Sequence, residues 1–361
     1  MSVTGTKRTA DMMSDTSQPD KECSESALDN LPPLSVLLKA LKPGTNISVN
    51  TRDYSPGRDD ESDELIELGC GSLSSVLHEP GQSFVIKKQH SGFNSSNCEL
   101  VRLTKKEADM TMNAFQVFSK LQSSSGISVK VPGNAKSMKD WEAFGDTHGE
   151  SLSNRPYRFP TPAIEMDIIY PLPKAVGRAL IQEFHPKRAG STMDLYPCLG
   201  LDARPREPGD FSLHNFQLSL ADMHRIGINV VDLSKAIGEA FAVIHFDCGL
   251  SGMGVEFAFG LSIPKRPCAR CLYTLDLYLF DFGDCWKDDN GVGTEGLNMA
   301  NIMLEPGTRK FIPSPLNSPT LYKVFEDAYI EHAKKSLGDE CSPFPCNVMK
   351  HYERLAAGQL L

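Results

Sequence analysis

The 361-residue chain has no apolar run near the roughly 18 residues that a membrane helix needs. Its first residues, Met1 to Gln18, are polar where a secretory signal would be apolar. These two absences make an intracellular, cytoplasmic protein with no membrane partner the expectation. Basic residues are in short supply: 37 Lys and Arg stand against 46 Asp and Glu, a formal net charge of -9. Sequence-independent binding to phosphate backbones needs a basic surface, so no nucleic-acid partner is expected. The ten cysteines, with no secretory signal, read as reduced thiols rather than a disulfide framework. Only Cys268 and Cys271 form a C-x-x-C pair, and no second pair or His-x-His partner stands at zinc-finger spacing. Zinc is therefore not expected.

What is present, 40% hydrophobic and 23% charged residues, is the composition of an ordinary soluble globular protein. The length allows one large two-lobed domain or two small ones. Residues 1–63, rich in Ser, Asp, Pro and Gly, read as a disordered tail that cannot bury enough apolar surface to offset its ordering entropy. Within it, Leu34, Leu37, Leu38 and Leu41 fall at helical spacing, which reads equally as a short docking helix or as a wandering amphipathic turn. Residues 64–170 read as strands around one helix, whose apolar face is Met110, Ala114, Val117, Phe118 and Leu121. Residues 171–361 read as mostly helical, with one helix capped by Asp232 and a last clear one opening at Ser318-Pro319. A β-rich segment followed by an α-rich one predicts an α+β fold with a small and a larger lobe.

Four motifs carry chemistry. Gly69-Cys70-Gly71-Ser72-Leu73-Ser74-Ser75-Val76 has the form of a phosphate-covering loop: Gly69 and Gly71 let the backbone approach phosphate oxygens, and Val76 would pack on a nucleotide base. A second strand follows the loop, not the helix of a dinucleotide fingerprint, which is the arrangement of kinases. In isolation the loop also reads as a plain hairpin turn. Phe84-Val85-Ile86-Lys87 then offers a strand lysine for the α- and β-phosphates, with Glu107 as the carboxylate to hold it. Alternatively Lys87 and Lys88 are solvated strand-edge charges.

His245-Phe246-Asp247 follows a helix as the catalytic tripeptide of kinases does, and Asp247 would orient an acceptor hydroxyl or take its proton. It also reads as a structural helix end. Five residues on, where a magnesium-binding Asn belongs, stands Gly252, and no Asn occurs before Asp281; Glu256 is the nearest replacement oxygen ligand. In Tyr278-Leu279-Phe280-Asp281-Phe282-Gly283 an apolar strand delivers Asp281, which would chelate magnesium bridging the phosphates. The order of these motifs carries the inference more than any member. No A-P-E tripeptide follows, so a small-molecule acceptor is favoured over a protein.

At Tyr170-Pro171-Leu172-Pro173, Ala240 to His245, Val255-Glu256-Phe257 to Gly260, and Leu279 to Gly283, the chain resembles an uncharacterised filamentous-fungal family often labelled "zinc finger protein". Members of that family look like remote relatives of protein kinases and of aminoglycoside- and choline-type kinases. The resemblance spans Glu64 to Ala333 and implies a two-lobed kinase-like fold. It implies a Gly loop at Gly69 to Val76, a strand lysine at Lys87, a helix from Leu103 to Glu107 and a hinge at Pro171 to Pro173. Members commonly carry Asp where this chain has Gly254. The function expected is ATP and magnesium binding, with phosphotransfer to a small molecule; the alternative is an inactive pseudokinase with a regulatory or scaffolding role and a protein partner, and a zinc-dependent regulatory protein ranks third.

Overall fold

The computed structural model describes residues 22–48, 65–71, 74–79, 81–90, 97–138, 161–184, 195–203, 216–262, 272–287, 296–338 and 343–358. The expected C-x-x-C pair, the tip of the Gly loop at Ser72-Leu73 and most of the polar insertion after Pro132 lie outside these residues.

Elements run in the order β1 (Glu22–Ser24), α1 (Glu25–Leu28), α2 (Pro33–Ala40) and β2 (Asn46–Ser48). Next come β3 (Ile66–Cys70), β4 (Ser74–His78), β5 (Phe84–Gln89), the long α3 (Asn97–Ser125), β6 (Val129–Lys130), β7 (Lys136–Ser137) and β8 (Ala163–Asp167). The second half holds α4 (Lys174–Phe184), β9 (Leu195–Cys198), β10 (Phe216–Ser219), α5 (Leu220–Arg225) and α6 (Val230–Ala242). A π-helical turn, Val243–Asp247, extends α6 and precedes β11 (Glu256–Ser262) and β12 (Leu272–Phe280). The chain then forms α7 (Leu297–Leu304), α8 (Pro306–Arg309), α9 (Pro319–Leu337) and α10 (Pro343–Ala356).

The fold is mixed α+β, built on two sheets. Strands β3-β4-β5-β8-β7 form a five-stranded sheet. A seven-stranded sheet runs β1-β2-β12-β11-β9-β10, with β6 on β12. The expected helix with Met110, Ala114 and Phe118 on its buried face is α3, longer at both ends than its apolar face required. Its first two turns carry an exposed Arg102–Glu99 pair at 2.6 Å on one side and the buried Leu100 on another.

Two sequence expectations change. The stretch 22–48, expected to be disordered, is folded: Leu28, Leu37 and Ile47 are wholly buried, and Leu41 nearly so. Composition averaged over the whole tail concealed a local cluster of leucines whose burial outweighs the ordering entropy. Helix α6 begins before Asp232, because the Asn229 carboxamide oxygen accepts the backbone N–H groups of Val231 and Asp232 at 3.2 and 3.3 Å. Asp232 instead sits in the first turn, where its charge favours the helix dipole. Helices α6 and α9 pack so closely that a Cβ at Gly238 would lie 2.4 Å from the Phe325 carbonyl oxygen. Among the described residues, no helix is long and apolar enough to cross a membrane.

Candidate functional site

Strand β5 alternates its side chains, so Val85 and Lys87 share one face and Ile86 and Lys88 the other. The Lys87 face looks into a cleft of about 190 Å³ between the two sheets. Its roof is Leu68, Gly69, Val76 and Val85; its floor is Ala258 and Phe259 of β11; residues Asp167 to Pro171 form one edge. Lys88, on the opposite face, is no solvated edge charge: it is 1% exposed, donates to the Thr161 carbonyl at 3.2 Å, and burial pushes its ammonium down to about 8.

Within the cleft Lys87 Nζ donates to Glu107 Oε1 and to Asp281 Oδ1, each at 2.6 Å. Side-chain exposures of 13% for Lys87, 5% for Glu107 and 41% for Asp281 separate a buried pair from an open carboxylate. Burial opposes the Lys87 charge, but Glu107 and Asp281 outweigh it and hold the ammonium above its ordinary value. Burial, reinforced by Asp281, raises Glu107 against the pull of Lys87.

Asp281 has φ 64°, a left-handed conformation that costs a non-glycine residue about 1–2 kcal/mol. Strain of this kind persists where the surroundings fix it, and it gathers at ligand sites. What fixes it is plain: Phe282, the next residue, is wholly buried, and β12 runs directly into Asp281. The carboxylate is thereby turned toward Lys87. Among the edge residues, Ile168 donates its N–H to Ser83 and Tyr170 donates to Leu261. Ile169, between them, donates to no carbonyl among the described residues, and it lines the cleft.

Asp247 does not join this group. Its carboxylate oxygen accepts His332 Nε2 at 2.8 Å and the Ser336 hydroxyl at 2.9 Å, both from α9, and the residue does not line the cleft. The π-helical turn carries it onto the α9 side, away from the Lys87 group. His245 is likewise structural, its Nδ1 2.8 Å from the Tyr329 hydroxyl; burial pushes the imidazole down to about 4. The loop that does lie beside the Asp281 segment is Ser251–Val255. Leu250 bridges Lys287, Ser251 N–H donates to the Trp286 carbonyl at 2.9 Å, and the Cys285 thiol donates to the Met253 carbonyl at 3.4 Å. That loop has no carboxylate: at Gly254 (φ 73°) a Cβ would meet Asp284 at 3.1 Å.

Glu256 does reach the cleft, paired across β11 and β12 with Phe280, beside Asp281. It is already engaged, however, by Lys310 Nζ at 2.8 Å. Sequence reading missed Lys310, Tyr196 and Ile169, since no motif surrounds them. Among the described residues no group of three or more His, Cys, Asp or Glu side chains could hold a metal by itself. Compared with known proteins, the chain matches no family model and no curated protein.

Proposed function

We propose that this is a kinase-like protein that binds ATP with magnesium in the cleft between its sheets. The observation that carries the reading is the Lys87 ammonium held between Glu107 and Asp281. A strand lysine held by a helix carboxylate, with an aspartate from the facing sheet, is the arrangement with which protein kinases hold a triphosphate. The remaining residues suit the nucleotide. The N–H of Ile169, which donates to no carbonyl among the described residues, would offer a purine nitrogen a donor, while Val76, Val85 and Ala258 give its ring two apolar faces. Asp281 has an exposed carboxylate for a magnesium ion, which prefers hard oxygen ligands and would complete its shell with phosphates and water.

Binding without transfer is favoured over phosphotransfer to a small molecule. The carboxylate expected to orient an acceptor, Asp247, is tied to α9, and the loop beside Asp281 carries Gly254 in place of an acid. A regulatory pseudokinase is thus the preferred form of the proposal. Thermal unfolding with ATP, with and without magnesium, tests it: a ligand that binds only the folded state must raise the Tm. ATP at millimolar concentration should stabilise the chain, magnesium should add to the shift, and Asp281→Asn should abolish the magnesium increment. Absence of any shift would falsify the nucleotide reading. Sustained ATP turnover that disappears in Asp281→Asn would restore the phosphotransferase.

A further inference from the structure

The cleft holds a second lysine–carboxylate pair. Glu256 opens β11 and lies across from Phe280, one residue before Asp281. Two acids at neighbouring strand ends could take two divalent ions around a triphosphate, as kinases do. Here Lys310 Nζ donates to Glu256 Oε1 at 2.8 Å, and the two side chains are only 20% and 26% exposed. The ammonium also lies 5.2 Å from the Tyr196 ring centre and 4.9 Å from that of Phe311, close enough for cation–π attraction to both.

The backbone from which the lysine springs is also closely packed. Gly200 donates its N–H to the Lys310 carbonyl at 2.9 Å, and a Cβ at Gly200 would lie 2.4 and 2.5 Å from the carbonyls of Arg309 and Ile312. Glycine alone allows that approach. A magnesium ion on the second Glu256 oxygen would have to sit beside the like-charged Lys310 ammonium, which two rings also hold, and at a carboxylate less exposed (26%) than that of Asp281 (41%).

We propose that Lys310 takes the place of a metal ion on Glu256, so that the nucleotide is bound with one divalent ion, on Asp281, and not two. This rests on the nucleotide reading above, and the test separates the two. Calorimetry of the full chain with a non-hydrolysable ATP analogue first establishes whether analogue binds; if none does, the nucleotide reading fails and this proposal falls with it. Given binding, Mn2+ is titrated into the analogue-saturated chain and the bound ions are counted by electron paramagnetic resonance. One ion per bound analogue is expected on the wild type and two on Lys310→Met, with a return to one in Lys310→Met/Glu256→Gln. Should Lys310→Met not fold, Lys310→Gln removes the charge with less change of shape and gives the same count. Two ions on the wild type overturn the proposal while leaving nucleotide binding intact. So does a single ion on either folded Lys310 variant.

Discussion

Lys87 Nζ stands 2.6 Å from Asp281 Oδ1, a residue 194 positions further along the chain, and at the same distance from Glu107. One ammonium thus ties the five-stranded sheet to α3 and to the end of β12. Because Lys87 and Glu107 are both largely buried, the contact is a structural commitment as well as a candidate ligand site.

Removing one member of that pair should expose the commitment. Lys87→Met leaves Glu107 buried without its cation, and loss of one partner of a buried pair costs about 3–5 kcal/mol. Urea unfolding should show a loss of at least about 3 kcal/mol, and Lys87→Met/Glu107→Leu should recover much of it. If the double variant is as unstable as the sum of the two single ones, the pair is not coupled as described.

Asp247 should behave as a structural residue. Asp247→Ala removes hydrogen bonds to His332 and Ser336 and should cost about 1–3 kcal/mol, in the range for bonds to a charged group. The ATP-induced rise in Tm should match that of the wild type. A variant of normal stability with no response to ATP would return Asp247 to the ligand site.

His245 sets an acid limit on stability. Its imidazole titrates near 4 when folded, against 6.5 ordinarily, because burial excludes the charged form. Between those values the unfolded chain takes up a proton that the native chain refuses, so stability falls as the pH drops through this window. The loss due to this one group is about 3 kcal/mol between pH 6.5 and pH 4. Equilibrium unfolding across that range should show the slope, and His245→Asn should flatten it.

The contact of α6 with α9 should tolerate no added carbon. In Gly238→Ala the new methyl group would lie 2.4 Å from the Phe325 carbonyl oxygen, and the helices would have to part. Overpacking of this kind costs about 1–3 kcal/mol, enough to lower the Tm by several degrees. An alanine variant as stable as the wild type would show that the helices can separate freely.

Lys87, Glu107 and Asp281 were legible in the sequence because each sits in a motif tied to its own element: a strand, a helix face, a strand end. Val85, Val76 and the glycines followed from the same local patterns. The placing of Asp247 could not be read, because a tripeptide does not say which way the chain leaves a helix; the π-helical turn, which turns that carboxylate toward α9, has no sequence signature. Lys310 and Ile169 could not be read at all. The first depends on Gly200, more than a hundred residues away, and the second is a backbone donor whose importance lies in what its neighbours leave unpaired. The folded stretch 22–48 was half legible: the leucine spacing left a short helix and an amphipathic turn both open, and the packing against α4 that decides between them is a long-range property.

That stretch also governs how the rest of the chain behaves. Strand β2 pairs with Leu272–Thr274 of β12 in antiparallel register, sealing the margin of the strand that ends at Asp281. A version of the chain begun at residue 64 would leave those amides and carbonyls bare, and a bare strand margin recruits other chains. Shortening the chain to that point should therefore yield aggregates sooner than a smaller working protein.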